Sequence, residues 1–414
     1  MYRLLSDLSI VEVSSFVASP TVGLYCAQFG AEVIRVDQIG GGLDYDRYML
    51  AENGRSLSWE NLNRGKKSVA LDMRSAEGRE LAVELARATG QLVTNVPETS
   101  FLSHAAVSEG RPDMISVRIM GWHDGRQAMD FTVNAAAGYP MMTGPAEWDP
   151  ETAPPVNQIM PAWDFITGAY CAFALMAAVH HRTATGEGSE VRVPLGDVAI
   201  GTFANSGTMA EMLYRGADRP RLGNAIWGAL GRDFTSRDGK RFMVAVLTAK
   251  QWRAMVEALD IATPIAALEG ETGVEFAASD HNRFVHRDAL FAIVQGAAGA
   301  LDYASIADRL TRAGATFERY RMPHEAATDP VLVADNPLFA PSAANPSGFE
   351  YPATRSFANL PGHDYGEPSV APYLGQHSEE VLGERLGLAS GTIADLIDRG
   401  VIARSDESTK RNPA

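Results

Sequence analysis

Leu8-Ser-Ile-Val-Glu-Val13 is a short run rich in β-branched residues, Ser14-Ser-Phe-Val-Ala-Ser-Pro20 turns the chain into a helix ending at Gly30, and Ala31-Glu-Val-Ile-Arg-Val36 repeats the strand pattern. Ser19 and Pro20 suit the N-cap and first helical position, because a proline there gives up no intrahelical bond and its φ is already helical. The unit is βαβ, a crossover that joins parallel strands. A second unit follows: a strand over 68–73, a helix over 79–89 with Leu81 and Leu85 on one face, Gly90 past its end, and a strand over 91–94. Further strands at 114–119 and 190–193 flank a long small-residue helix over 164–182. Strands alternating with helices of this length specify an α/β fold, a mainly parallel sheet covered on both faces.

The texture changes near residue 225. Gly223, Gly228 and Gly231 space a loop, Asp238-Gly239 signals a hairpin, and 249–260 and 287–316 read as helical. Residues 1–200 and 340–414 are therefore expected to form a large Rossmann-like domain, and 225–328 a smaller α+β domain, with 201–224 and 329–339 as linkers. Residues 328–372 are rich in Pro, Asn and Asp and read as a returning connection, and 378–396 as a final helical stretch.

Length and composition set outer bounds. At 414 residues, two domains are expected, and 46% hydrophobic with 21% charged residues is ordinary for a packed globular chain. Thirty-six Lys+Arg against 51 Asp+Glu leaves a net charge of −15, which disfavours nucleic acid and anionic membrane as partners. Cys26 and Cys171 lie in apolar runs and form no CxxC framework, which fits a reducing compartment. Asp7 and Glu12 interrupt the first apolar stretch, so it does not read as a signal peptide, and a cytoplasmic location is expected. The apolar run 165–179 is closed by His180, His181 and Arg182, short of the roughly 18 residues that span a bilayer, and reads as a buried core helix.

Candidate chemistry is sparse. The first βα turn has no glycine to admit a pyrophosphate, which argues against dinucleotide binding. Asn63-Arg-Gly-Lys-Lys-Ser68 resembles the end of a P-loop, but Glu60 stands where that motif needs its first glycine. Arg64, Lys66 and Lys67 still put three cations before a strand, a pattern that suits one polyanionic small ligand, with a solvated basic loop as the plainer reading. His180 and His181 are adjacent on a helix and face different ways, and no metal site is expected. Asp164 precedes the long apolar helix, where the helix dipole favours its ionised, nucleophilic form; a plain N-cap is the alternative reading.

Taken in order, five segments resemble the class III CoA-transferase family from Leu8 to about Val401. They are Gln28-Phe-Gly-Ala-Glu-Val-Ile-Arg35, Leu62-Asn-Arg-Gly-Lys-Lys-Ser-Val-Ala-Leu-Asp72, Asp164 heading a long helix, His181-Arg-Thr-Ala-Thr-Gly-Glu-Gly188 and Leu374-Gly-Gln-His377. The resemblance implies a large domain built from both chain ends, a small domain between them, and an interlocked homodimer. It implies Asp164 as the catalytic aspartate and Ala18, Arg64, Lys66, Lys67 and Asn95 as CoA contacts. Coenzyme A is then part of the substrate, with no tightly bound cofactor. Ile39-Gly-Gly-Gly-Leu-Asp-Tyr45, Pro161-Ala-Trp-Asp164, Arg219-Pro-Arg-Leu-Gly-Asn224 and Gly228-Ala-Leu-Gly-Arg-Asp-Phe234 further resemble members that act on a small dicarboxylate, mesaconate, moving CoA between its two carboxyl groups. Gly228 and Arg232 are the expected substrate contacts, Arg232 for the second carboxylate. Ser15, Val17 and Gln38 depart from the family's formyl-CoA enzymes. Met129-Asp130 stands where the α-methylacyl-CoA racemases have histidine before aspartate, so a two-base racemase would lack one base. An intermolecular transfer between acids is the other reading the resemblance allows.

Overall fold

The computed structural model describes residues 1–149, 151–342, 344–364 and 366–405. They form two compact units, one from Met1–Ala137, Gln158–Glu211 and Asp329 onward, the other from Gly138–Asn157 and Met212–Thr328. Residues 138–157, expected in the large domain, thus pack with the smaller one.

The first unit opens with β1 (Ser9–Val13), α1 (Ala18–Gln28), β2 (Glu32–Gln38), α2 (Leu57–Leu62), β3 (Lys67–Leu71), α3 (Ala76–Thr89), β4 (Gln91–Thr94), α4 (His104–Ser108), β5 (Ile115–Met120) and α5 (Asp130–Ala136). After the short α6 (Tyr139–Met142) of the other unit come α7 (Ala162–Thr185), β6 (Ser189–Pro194), α8 (Leu195–Asn205) and α9 (Thr208–Arg215), so the expected linker from 201 is largely helical. Ser75 caps α3 by accepting the Gly78 amide at 2.9 Å, and Gly90 ends it at φ 74°, a conformation that costs glycine little.

The second unit carries an antiparallel sheet of β7 (Leu230–Thr235), β8 (Arg241–Val246) and β9 (Phe317–Arg319). Over it pack α10 (Ala249–Leu259), α11 (Ala262–Thr272), α12 (Asp280–Val285), α13 (Arg287–Gly299) and α14 (Tyr303–Ala313). The hairpin signal at Asp238-Gly239 lies between β7 and β8, and the stretch 287–316 divides after Gly299 into α13 and α14. The helix α15 (Pro323–Thr328) closes this unit. A π-helical turn, Pro330–Ala334, returns the chain to the first unit, which ends with a hairpin of β10 (Phe339–Ser342) and β11 (Tyr351–Thr354), then α16 (Ser378–Leu386), α17 (Ser390–Asp398) and β12 (Ile402–Ala403).

The main sheet runs β12-β3-β2-β1-β4-β5-β6 and is parallel except for the β12–β3 pair. Buried side chains of α3, α16 and α17 cluster on one side of it, and those of α1 and α7 on the other. Strand order reverses at β1, with β2 on one side and β4 on the other. In open α/β sheets such a switch point opens a crevice at the strands' carboxyl ends, where ligands bind. The loops after β1 and β4 meet there.

The helix α7 is long and apolar enough to cross a membrane by length and composition. It packs instead against α1, β5 and β6. It is not buried all round: Thr167, Gly168, Cys171, Leu175 and Ala178 face inward, while Ile166, Tyr170 and Phe173 are exposed.

Candidate active site

The loop after β1 is held by side chains from two sides. Asn95, directly after β4, accepts the Ser15 amide at 3.2 Å and donates to the Ser15 carbonyl at 3.0 Å. Asp44 accepts the Phe16 amide at 3.1 Å. Phe16 sits at φ 67°, a left-handed conformation that an L-residue adopts only when its surroundings enforce it. The helix consequently begins at Ala18, ahead of the expected Ser19-Pro20 start. No side chain caps it and its first turn holds no acidic residue.

Beneath that loop lies a buried charge network. The Arg35 guanidinium pairs with Asp37 at 2.9 Å and Asp44 at 3.2 Å, and donates to the Ser14 carbonyl at 3.1 Å. The Lys66 ammonium reaches Glu12, the Pro20 carbonyl and Asn63, each at 2.9 Å. Arg35 and Asp44 thus link the sheet interior to the strained loop, and Gly23 of α1 passes so close to Glu12 that any side chain there would collide with the carboxylate.

Asp164 lies in the first turn of α7, not at its cap, which is Pro161. The helix's opening amides are taken by Asp130, whose Oδ2 accepts from Trp163 at 2.7 Å and Asp164 at 3.1 Å. Trp163 is further fixed through its indole N–H, which donates to Asn134 at 3.1 Å. The expected ionising effect of the dipole on Asp164 is overcome: burial and then the neighbouring Asp130 push its pKa up to about 7, against a pull from Arg47. A carboxylate poised there is half ionised at neutral pH and more nucleophilic than an ordinary one. Phe165 packs in the same apolar cluster as Val17, and Gly168 rests on the Ala18 carbonyl and Thr21. The heads of α7 and α1 therefore sit together beside the switch-point crevice.

The other expected contacts separate. Lys66 is fully enclosed in the Glu12 network, where burial lowers its pKa to about 8, and its ammonium donates to Glu12, Pro20 and Asn63. Lys67 is ringed by Glu32 at 2.9 Å and Glu380 at 2.7 Å, carboxylates that repel a phosphate. Arg64 is buried and donates to Thr354 at 2.8 Å, its Nη1 is buried without a hydrogen-bond partner among the described residues, and the residue lines a small pocket with Gln28, Met1 and Ser369. The three cations expected to hold phosphates together thus lie apart: adjacency in sequence sent three side chains three ways. Asn95 is turned to the Ser15 backbone, and Ala18 opens α1. Arg232, on β7 of the second unit, stacks on Phe291 at 5.2 Å and Phe234 at 5.9 Å, and Gly228 is exposed at φ 77°. Among the described residues, no group of three or more metal-ligating side chains is gathered. Sequence reasoning gave no role to Asp44, Arg47 or the capping by Asp130; Asp44 lay unremarked in the quoted segment 39–45 and Asp130 in the Met129-Asp130 pair, while Arg47 had no signal.

Residues 5–378 match the sequence model of CoA-transferase family III. The chain belongs to this family. It is 38% identical to 2-methylfumaryl-CoA isomerase of Chloroflexus aurantiacus over 421 aligned residues, covering 99% of this chain and all of that one. It is 25% identical to succinyl-CoA:mesaconate CoA-transferase of Haloarcula marismortui, covering 94% and 98% respectively. A CaiB/BaiF family protein from Brucella suis superposes with a TM-score of 0.74 at 23% identity, covering 92% of this chain and 99% of that one, which shows the shared fold. The protein is thus a class III CoA-transferase enzyme, and acyl-CoA is its substrate class.

Proposed function

We propose that this class III CoA-transferase moves CoA between the two carboxyl groups of one molecule of mesaconate, converting mesaconyl-C1-CoA to mesaconyl-C4-CoA. The observation that carries the chemistry is Asp164, a largely enclosed carboxylate with its pKa near 7 at the head of α7. The substrate is suggested by the full-length similarity to 2-methylfumaryl-CoA isomerase.

The steps balance without a cofactor. A carboxylate oxygen of Asp164 attacks the thioester carbonyl, the C–S bond breaks, and a mixed anhydride and CoA thiolate result. The thiolate attacks the aspartyl carbonyl, leaving an aspartyl-CoA thioester and free mesaconate. The other carboxylate of mesaconate then attacks that thioester, and the released thiolate opens the new anhydride at the substrate's carbonyl. Asp164 is regenerated and no proton is gained or lost. The uncapped amides at Ala18 are our candidates for the oxyanions. The protein works as a homodimer of interlocked subunits in the cytoplasm.

An acid retained between half-reactions meets the aspartyl thioester at an effective concentration of up to about 10⁵ M, so outside acids compete poorly. The test is unlabelled mesaconyl-CoA with excess isotopically labelled mesaconate, read by mass spectrometry. Isomerisation with little label in the ester is expected. Labelling that keeps pace with isomerisation would favour intermolecular transfer, the activity named for the Haloarcula relative.

A further inference from the structure

On the reading that the acyl group is a dicarboxylate, a cation must hold its distal carboxylate, and Arg232 lies on β7 of the second unit with its Nε already donating to the Asp233 carbonyl at 3.1 Å. We propose that Arg47 is that cation: exposed on the loop before α2, it lies over the Phe16 ring at the head of α1, beside the crevice that Asp164 enters.

Four observations support this. The Arg47 guanidinium has no hydrogen-bond or ion-pair partner among the described residues, and it lies over the Phe16 ring at 5.7 Å from the centroid. Most other arginines near the sheet are committed, Arg35 to Asp37 and Asp44, Arg192 to Glu190 and Glu98, Arg385 to Glu32. A charged group left in water without a partner can give its full hydrogen-bonding capacity to a ligand, and an arginine fork matches a carboxylate in two bonds.

Second, the surface beneath it is built. Phe16 is held at φ 67° by the Asp44 carboxylate on its amide, and Asp44 also accepts the Arg47 amide through its backbone carbonyl at 3.3 Å. One aspartate therefore fixes both the ring and the base of the arginine above it, so the guanidinium stands on a platform. Third, Phe165 next to Asp164 packs with Val17 next to Phe16, which brings that platform to the head of α7. Fourth, the Arg47 charge pulls the Asp164 pKa down against burial and Asp130. A dicarboxylate whose near carboxyl lies against Asp164 can extend its far one to Arg47. When the acid turns end for end, the same arginine receives the other carboxylate, so one cation serves both half-reactions.

The test compares mesaconyl-CoA isomerisation with acyl exchange between 2-methylcrotonyl-CoA and labelled 2-methylcrotonate, a pair that lacks the distal carboxylate. The wild type is expected to favour the dicarboxylate. Arg47→Gln should lower kcat/KM for it by about 10- to 100-fold, the worth of a hydrogen bond to a charged group, and shrink the ratio between the two substrates by at least tenfold. Arg47→Lys should recover part of that ratio. An equal loss on both substrates would mean that Arg47 only shapes the loop, and an unchanged ratio would likewise overturn the proposal. A wild type that exchanges the monocarboxylate but leaves mesaconyl-CoA untouched would refute the substrate reading itself, before any variant is made.

Discussion

A carboxylate in the first turn of a helix ordinarily ionises more easily, by about 0.3–1 kcal/mol. Asp164 does the opposite, first because it is buried and then because Asp130, which already holds the opening α7 amides, brings a second negative charge beside it. The acid limb of kcat/KM should therefore fall near pH 7, activity rising with pH as Asp164 loses its proton. Asp130→Asn removes the like charge and should move that limb to lower pH; a limb that stays in place would show that Asp130 does not tune the nucleophile. Lys66 gives a different expectation. A buried cation paired with Glu12 is structural, and its removal leaves that carboxylate in the sheet interior with, among the described residues, only Arg35 at 3.5 Å and the Ser14 hydroxyl at 3.0 Å to answer it. Lys66→Met should cost about 3–5 kcal/mol of stability by denaturant titration. Normal stability with a raised KM for acyl-CoA would return Lys66 to the ligand-binding role expected from its sequence context.

Elements were more legible than side chains. Strand and helix periodicity located β1 to β6 and α7 within a few residues, since a buried parallel strand and a helix of 24 residues impose strong patterns. The short α2 and the two-residue β12 carried none, and the breaks at 300–302 and Gly387 inside two expected helical stretches were not anticipated. Asp164 could be singled out because it heads a helix, whereas Arg64, Lys66 and Lys67 could not be resolved: spacing reveals which face a residue takes, but not which buried carboxylate awaits it. The same limit hid Gly168. It is the point where α7 touches the Ala18 carbonyl and Thr21, too close for a side chain. Gly168→Val must push the two helices apart just below Asp164 and Phe16. A loss of about 1–3 kcal/mol is expected, with kcat falling more than the residual folded fraction explains. Unaltered stability and kcat would show that the α1–α7 contact does not set the site.

The chain crosses between its two units in a way that sequence texture partly anticipated, with both ends in the first unit and 212–328 in the second. The outer face of α7 bears on how the whole molecule assembles. Ile166, Tyr170 and Phe173 recur at i, i+4 and i+7 and are 41%, 56% and 70% exposed, so one helix presents a stripe of large apolar side chains to solvent. Scattered exposed apolar residues need no explanation, but an aligned stripe on a helix whose other face is core is the form of an interface. The net charge of −15 works against loose self-association, so a second copy must bring enough apolar burial to offset repulsion. If the proposed interlocked dimer is the assembly, light scattering should give a dimer mass that persists on dilution to nanomolar chain concentration. Tyr170→Glu with Phe173→Glu should yield aggregated or unfolded chain, because subunits that thread one another cannot mature apart. A folded, active monomer from either the wild type or that double variant would rule the interlocked assembly out.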